Sequence, residues 1–299
     1  MIELAGVRLE RPRAPAPLFA GVDLSIARGE VVLVTGGAGA GTSTLVAALL
    51  GEIMPAEGTI SLFGRDLARL RRSSLLALRR RLGVVPQDLQ LLPECTSLAN
   101  VELPLEIDHV PRRDANARAA AALARLGLAD HASALVGELS LAEQQRVAIA
   151  RALVRTPTLL LADQPTSHQD REGAMMIAAA LQECATQGAA VFVISRDPDL
   201  IAAAGQHGWR QLMVHRGRLV DVTDLVTVEI DVAMEPSAKE QLAPVAEPAR
   251  AATGDDVPAV EDTGEIVIDV EPSSDDTDRT AASDNLIEFP AVARSRGAR

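Results

Sequence analysis

The 299-residue sequence is poor in aromatic side chains and in lysine. Aromatic residues make up 2% of the chain, with no tyrosine and one tryptophan, Trp209. The core is therefore expected to consist of Leu, Val, Ile and Ala. Lysine occurs once, as Lys239. This excludes any site that needs a lysine elsewhere in the chain.

Cysteines and long apolar segments are also scarce. Cys95 and Cys184 fit no disulfide framework and no metal-ligand spacing, so buried reduced thiols are predicted. Residues 1–13 contain glutamates and arginines but no apolar segment of the signal-peptide kind. No stretch reaches the ~18 uncharged apolar residues of a membrane span. These features predict a cytoplasmic protein that would reach the inner face of the cell membrane only through a membrane partner.

Negative charge is concentrated near the end of the chain. Residues 229–299 hold 17 acidic and 6 basic residues, whereas the rest holds 24 and 23. Nucleic-acid binding is not expected, because no basic excess is present. Residues 223–299 are predicted to form an acidic, disordered tail. Its short apolar fragments 230–232, 268–270 and 286–289 are either binding segments or chance apolar residues in a solvated tail.

Apolar runs and turn residues predict an α/β fold with a mainly parallel sheet. Strands are expected at 31–35, 59–63, 82–85, 158–162 and 189–194, and a terminal hairpin at 211–220. Residues 89–156 are expected to be mostly helical. Residues 65–81 are predicted to form one arginine-rich amphipathic helix, which either faces anionic lipid head groups or is simply solvated.

Residues 36–44 have the composition of a phosphate-binding loop between a strand and a helix. In the pattern G-x-x-x-x-G-K-[ST], backbone N–H groups cradle phosphates, the lysine reaches the β and γ oxygens, and the hydroxyl holds Mg²⁺. Thr42 stands where this pattern has lysine. All nine residues are candidate nucleotide-binding residues: Gly36, Gly37, Ala38, Gly39, Ala40, Gly41, Thr42, Ser43 and Thr44.

Four further motifs follow the glycine loop in order. They are Val-Pro-Gln-Asp at 85–88, Leu-Ser-Leu-Ala-Glu-Gln-Gln-Arg at 139–146, Leu-Leu-Leu-Ala-Asp-Gln-Pro-Thr at 159–166, and Ser-Arg-Asp at 195–197. Their order and spacing resemble the ABC ATPase family, and most of all its FtsE and LolD/MacB branch. The resemblance covers residues 1 to about 222. It implies a P-loop NTPase fold, with a RecA-like core and a helical subdomain at about 89–156.

The resemblance also implies ligands and partners. Ser43, Gln87 and Asp163 match the positions that hold Mg²⁺ beside ATP, and Ser140, Leu141, Ala142 and Glu143 match the signature that meets the nucleotide of a second subunit. The expected cofactor is ATP with Mg²⁺, weakly bound. The expected partners are an integral-membrane permease of the FtsX kind and a second ABC domain, in a homodimer or a heterodimer.

Several positions depart from the family pattern. Gln164 replaces the general-base glutamate, and Arg196 replaces the switch histidine. Leu141 and Ala142 replace the paired glycines of the signature, whose backbone must approach the nucleotide closely. Residues 167–170, Ser-His-Gln-Asp, depart from the usual D-loop but keep its aspartate. Near Arg11 the family has an aromatic residue that stacks on adenine, which this chain lacks.

Three hypotheses follow from these departures. The chain is an FtsE-like subunit that hydrolyses ATP slowly or not at all and has a regulatory or scaffolding role. Alternatively, it is an active ATPase in which other groups replace the missing ones, for example Arg196 as a bidentate donor to the γ-phosphate. In the third hypothesis the folded core carries an acidic tail that recruits other proteins.

Overall fold

The computed structural model describes residues 1–10, 17–37 and 39–223. The predicted tail at 223–299, apart from its first residue, and the position near Arg11 lie outside the described residues. Ten strands and seven α-helices form the described part of the chain. The strands are β1 (Ile2–Leu9), β2 (Phe19–Ile26), β3 (Val31–Thr35), β4 (Glu57–Leu62), β5 (Arg65–Asp66), β6 (Leu82–Val85), β7 (Leu159–Asp163), β8 (Ala190–Ile194), β9 (Arg210–His215) and β10 (Arg218–Asp221). The helices are α1 (Thr42–Leu49), α2 (Arg72–Arg79), α3 (Ser97–Ile107), α4 (Arg112–Arg125), α5 (Leu141–Leu153), α6 (Arg171–Thr186) and α7 (Pro198–Gln206).

A six-stranded sheet forms the centre of the fold, in the order β10-β9-β3-β8-β7-β6. All neighbouring pairs are parallel except β9–β10, which form an antiparallel hairpin. Strands β7 and β8 are buried along their whole length, as expected for strands covered on both faces. The predicted α/β class and the parallel sheet are confirmed.

The two faces of this sheet contribute to different cores. Successive side chains of a strand point to opposite faces. Val32 and Val34 pack with α1 and the antiparallel strands, whereas Val31 and Leu33 pack with the helices that follow β6. Phosphate-loop helix α1 and helix α5 are thereby held on opposite sides of one rigid sheet.

A second sheet is antiparallel, in the order β2-β1-β4-β5, and was not predicted apart from β4. The backbone N–H of Ala20 donates to the carbonyl of Gly217 at 2.9 Å, which ties β2 to the turn of the β9–β10 hairpin. In β1 a register shift between Leu4 and Val7 interrupts the strand around Gly6, whose φ is +59°. The shift breaks the two-residue alternation by which a strand is recognised in a sequence.

The single helix predicted at 65–81 is wrong. Residues 65–66 instead form β5, which pairs with the end of β4 after a turn at Phe63 and Gly64. Asp66 then caps a short 3₁₀ turn at Leu67–Arg69 by accepting from the backbone N–H of Ala68. The α-helix begins only at Arg72. Local hydrogen bonding by an Asp side chain ends the strand and delays the helix.

The span between β6 and β7 is mostly helical, as predicted. It contains α3, α4 and α5, with 3₁₀ turns at Ala129–His131 and Val136–Glu138. Thr96 caps α3 by accepting from the N–H of Ala99, and buried Asn100 holds the preceding loop through the N–H and the carbonyl of Leu92. These contacts fix the segment that leads from Gln87 to the helices.

Candidate functional site

The phosphate-binding loop connects β3 to α1 at the carboxyl end of the parallel sheet. Gly41 precedes the first residue of α1 with φ +86°, and Gly39 has φ +78°. Both values lie in the left-handed region that favours glycine. Ala38 is the one loop residue outside the described set. The backbone therefore has the strand–loop–helix form that presents N–H groups to an anion.

Thr42 takes part in the packing of this loop. A Cβ placed on Gly36 would lie 3.3 Å from the Thr42 methyl carbon, 3.2 Å from the Ala40 Cβ and 3.3 Å from the Val214 Cβ. The methyl group of Thr42 is thus turned toward the start of the loop. A threonine side chain supplies neither the length nor the charge of the lysine that it replaces.

Ser43, Gln87 and Asp163 lie together although the sequence separates them widely. All three line one cavity of about 720 Å³, bordered by α1, Arg79 of α2, β6 and the segment after β6. Asp163 ends β7 and is 5% exposed, whereas Ser43 and Gln87 are exposed. The three predicted metal positions therefore share one cavity wall.

The Asp163 carboxyl is buried and partly unpaired. Burial raises the pKa of this carboxyl, and a hydrogen bond from Ser43 and the positive charge of Arg196 oppose the shift. Its Oδ1 has no hydrogen-bond partner in the described part of the chain. An ionised buried carboxylate with a free oxygen is costly unless a cation or a proton binds it.

Replacement of this carboxyl by an amide is expected to stabilise the chain without metal. The raised folded-state pKa means that the folded chain binds the Asp163 proton more tightly than the unfolded chain, so stability falls as pH rises above the ordinary pKa of Asp. Asp163→Asn should therefore unfold at a higher temperature than wild type at pH 7 in EDTA, by about 1 kcal/mol of unfolding free energy. The difference should shrink as pH falls toward 4, because protonation of Asp163 removes the buried charge that the amide lacks.

Thermal unfolding followed by circular dichroism between pH 4 and 7.5 measures this difference. Asp221→Asn is the control, because hydrogen bonds from Thr223 lower the pKa of Asp221 and the expected sign is opposite. An Asp163→Asn variant that is less stable than wild type at pH 7 in EDTA would show that the carboxylate is already satisfied.

Gln164 and Arg196 follow the ends of two adjacent strands. Gln164 comes directly after Asp163 with φ +53°, and its N–H donates to the Ile194 carbonyl at 2.8 Å. Arg196 is exposed on the segment after β8. Gln164 is an uncharged amide, which is not a base at neutral pH.

The signature segment forms the N-terminus of α5. Ser140 is the N-cap, and its hydroxyl and backbone N–H both donate to Glu143 Oε2, at 2.7 and 2.8 Å. The bonds from Ser140 lower the pKa of Glu143, with a smaller contribution from His131. Leu141 is 55% exposed, and Ala142 is partly buried. The signature residues do not line the cavity that holds Asp163.

Arg151 connects α5 to the segment after Gln87, a contact that the sequence did not predict. Its two terminal nitrogens donate to the carbonyls of Gln90 and Leu89, at 2.6 and 2.7 Å. Leu89 and Gln90 have φ of +58° and +47°, which is strained for residues with a side chain. Desolvation lowers the pKa of Arg151. This guanidinium holds a strained turn two residues from Gln87.

Gln145 is a second residue that the sequence did not single out. It is 1% exposed and joins α5 to the residues after β7. Its Nε2 donates to the Gln164 carbonyl at 2.9 Å and to Ser167 Oγ at 3.1 Å. Its Oε1 accepts from the N–H of His168 at 3.1 Å. The sequence shows a glutamine in a run of polar residues, but it does not show that this side chain is buried or which backbone groups it binds.

The remaining polar groups add no further site. Cys95 and Cys184 are free, and Cys184 is buried, which raises its pKa to about 11. Within the described ranges no cluster of three or more His, Cys, Asp or Glu side chains is arranged to hold a metal ion. The helices described here include none with the length and apolar character of a membrane span.

Comparison with known proteins places these features in a family. A family model described as "ABC transporter" matches residues 19–167. The cell division ATP-binding protein FtsE of Haemophilus influenzae is 38% identical over 201 residues, which cover 67% of this chain and 92% of that protein. The methionine import ATP-binding protein MetN of Mesorhizobium japonicum is 37% identical over 216 residues, 72% of this chain and 58% of MetN.

MetN and further relatives are longer than the matched region. The macrolide export ATP-binding/permease protein MacB 1/2 of Paracoccus denitrificans is 38% identical over 223 residues, 74% of this chain but 33% of MacB. A solved ATP-binding cassette, a dimer in a post-hydrolysis state bound to ADP and phosphate, is 31% identical with a TM-score of 0.66, over 73% of this chain and 96% of that one. The chain belongs to the ABC transporter family, as a nucleotide-binding cassette with the P-loop NTPase fold.

Proposed function

We propose that this chain is the ATP-binding subunit of an FtsE-like complex with a membrane permease, and that it binds nucleotide but scarcely hydrolyses it. The observation that carries the proposal is that Ser43 and Asp163, two oxygen ligands expected to hold a metal ion, are present, whereas the next residue, Gln164, has an uncharged amide. Binding groups are present, whereas the base is not. Such a subunit would have a regulatory or scaffolding role.

The site fits a nucleotide with a divalent cation. A hydroxyl and a carboxylate are oxygen ligands of the kind that Mg²⁺ takes, and Asp163 Oδ1 has no protein partner among the described residues. Ser43 and Asp163, with Gln87 nearby, would hold the ion, and the loop 36–44 would hold the phosphates. When bound, the ion would supply charge neutralisation of the phosphates.

Nucleotide binding is expected to depend on the metal more strongly than in a loop with lysine. Because Thr42 brings no charge, Mg²⁺ would be the main cation close to the phosphates. We expect micromolar to millimolar affinity for MgATP and a loss of about tenfold or more in EDTA. Isothermal titration of ATP and ADP, each with Mg²⁺ and with EDTA, measures this. Asp163→Asn should remove the metal dependence, and Asp221→Asn should not.

The alternative, an active ATPase, rests on Arg196, whose positive charge acts to lower the pKa of Asp163. Steady-state phosphate release by the purified chain decides between the two. A turnover of about 1 s⁻¹ or more, within the ordinary range of enzymes, would contradict the proposal. An Arg196→Ala variant that then loses this activity would support the alternative.

A third role, recruitment of other proteins by residues 229–299, is separable by truncation. The charge imbalance of this segment supports it. A chain ending at residue 228 is expected to keep nucleotide binding. If it also keeps its cellular role, the recruitment hypothesis fails. The membrane location and an FtsX-like partner are tested by co-expression of the chain with an FtsX-like permease and co-purification from solubilised membranes.

A further inference from the structure

The residues after β7 form a loop, 164–170, that is bonded to the N-terminus of α5 by side-chain amides. The Nε2 of Gln169 donates to the Ala142 carbonyl at 2.8 Å and to Gln145 Oε1 at 3.2 Å. Gln145 in turn donates to the carbonyl of Gln164. Two glutamine side chains therefore link the signature helix to both ends of the loop.

The geometry points to Gln169 as a positioning residue that locks loop 164–170 to the N-terminus of α5, so that the two segments move as one unit. The contact is directional, since an amide N–H meets a backbone carbonyl at hydrogen-bond distance. Gln169 is partly buried, and Gln145 is almost fully buried. Loss of the Gln169 amide would leave the Ala142 carbonyl and Gln145 Oε1 with one donor fewer.

Gly173 provides the space that this contact needs. A Cβ on Gly173 would lie 2.4 Å from Gln169 Oε1, closer than real Cβ contacts allow. Gly173 lies in the first turn of α6, and its φ is not in the left-handed region. Backbone conformation therefore does not require glycine there. The absence of a side chain instead lets the Gln169 amide turn toward Ala142.

This arrangement gives Gly173→Ala two effects of opposite sign. Alanine is the better helix former, so the substitution favours α6. The added methyl group displaces the Gln169 amide, so it loosens loop 164–170. A purely structural role for Gly173 predicts no increase in the opening of the loop.

A locked loop would keep the signature and Gln164 in one arrangement before nucleotide or a second subunit binds. This consequence rests on the proposed function, whereas the lock itself does not. The test needs neither ligand nor partner. A chain that hydrolyses ATP rapidly would overturn the proposed function and leave the locked loop untouched. Loop amides without protection from exchange would overturn the locked loop and leave the proposed function untouched.

Hydrogen–deuterium exchange of the full chain without nucleotide tests the lock. Gln169→Ala and Gly173→Ala should each speed exchange of the amides in 164–170 by roughly tenfold, because local opening becomes more frequent. Exchange in the second half of α6 should not change. Gly205→Ala is the matched control, since a Cβ on Gly205 of α7 meets only Gln211 Nε2 at 3.7 Å. Gln187→Ala, which removes an exposed amide bonded to Glu183, is the second control.

The double variant Gln169→Ala/Gly173→Ala completes the cycle. With the amide already removed, the 2.4 Å contact of the methyl group at position 173 is gone and only the milder approaches to Asp170 Oδ1 (3.1 Å) and to the Cβ of residue 169 (3.2 Å) remain. The double variant should therefore exchange nearly like Gln169→Ala alone. Additive effects, or loop exchange equal to wild type in either single variant, would overturn the inference.

Discussion

Gln164→Glu combined with Thr42→Lys is expected to leave ATP turnover far below that of a quadruple variant that also carries Leu141→Gly and Ala142→Gly. Under the proposed function, the first pair would return a general base and a phosphate-binding cation. Each such group contributes about 10²–10⁴ to the rate in other enzymes. Under the proposed function, the second pair would return the close backbone approach that Cβ atoms at positions 141 and 142 would obstruct.

Contributions of residues that act as a unit are not additive. We therefore expect each single substitution to change turnover by less than about tenfold, and the quadruple variant to exceed wild type by roughly 10³-fold. Phosphate release at saturating MgATP measures the series.

The quadruple variant carrying Asp163→Asn is the control for contaminating ATPases, and it should be inactive. A double variant as active as the quadruple one would show that Leu141 and Ala142 do not limit turnover. The proposed cause of impairment at the signature would then be wrong.

The sequence predicted the central sheet because its strands are continuous apolar runs that end at glycine, proline or acidic residues. Ser43, Gln87 and Asp163, the positions that the family resemblance implies for Mg²⁺, line one cavity, and their role as metal ligands stays a prediction. The sequence did not predict β1, because the irregularity at Gly6 disrupts the alternation of buried and exposed residues. It did not predict the backbone path at 65–71, where β5 is followed by a 3₁₀ turn that the Asp66 side chain caps.

The contacts of Gln145, Arg151 and Gln169 were beyond sequence reasoning for a different reason. Arg151 and Gln169 each bind a backbone carbonyl more than 25 residues away in the sequence. Gln145 binds one that is 19 residues away. A carbonyl carries no residue-specific signal, because every residue has one. The polarity of such side chains is visible in a sequence, but their targets emerge only when the helices and strands have packed.

Association of two copies of the chain is the most direct test of the signature. Ser140 caps α5 and its hydroxyl is bound to Glu143, so the helix N-terminus is well formed. Leu141 stands exposed beside it. If the signature of one subunit must approach the nucleotide of the other, this leucine keeps the two apart. The wild-type chain is therefore expected to remain monomeric in MgATP.

Thr42→Lys with Leu141→Gly and Ala142→Gly is expected to convert the chain to a dimer in MgATP. The lysine is expected to strengthen nucleotide binding, and the glycines are expected to allow approach. If Gln164 does not activate water, as proposed, the bound nucleotide persists. Adding Gln164→Glu should shorten the life of this dimer, because hydrolysis then removes the γ-phosphate that holds the two subunits. Light scattering after size-exclusion chromatography, with ATP, ADP or no nucleotide, measures the assembly.

Glycines at the start of α5 lower the stability of the helix, and the control variant must lower helix stability by a similar amount. Glycine is less favourable than alanine in a helix by about 1 kcal/mol, so the triple variant should unfold at a lower temperature than wild type. Leu76→Gly, at a leucine of α2 that is 53% exposed compared with 55% for Leu141, lowers helix stability without altering the signature. It should stay monomeric. A wild-type chain that dimerises in MgATP as fully as the triple variant would show that the leucine does not block approach, and the scaffold would then act as a nucleotide-dependent dimer.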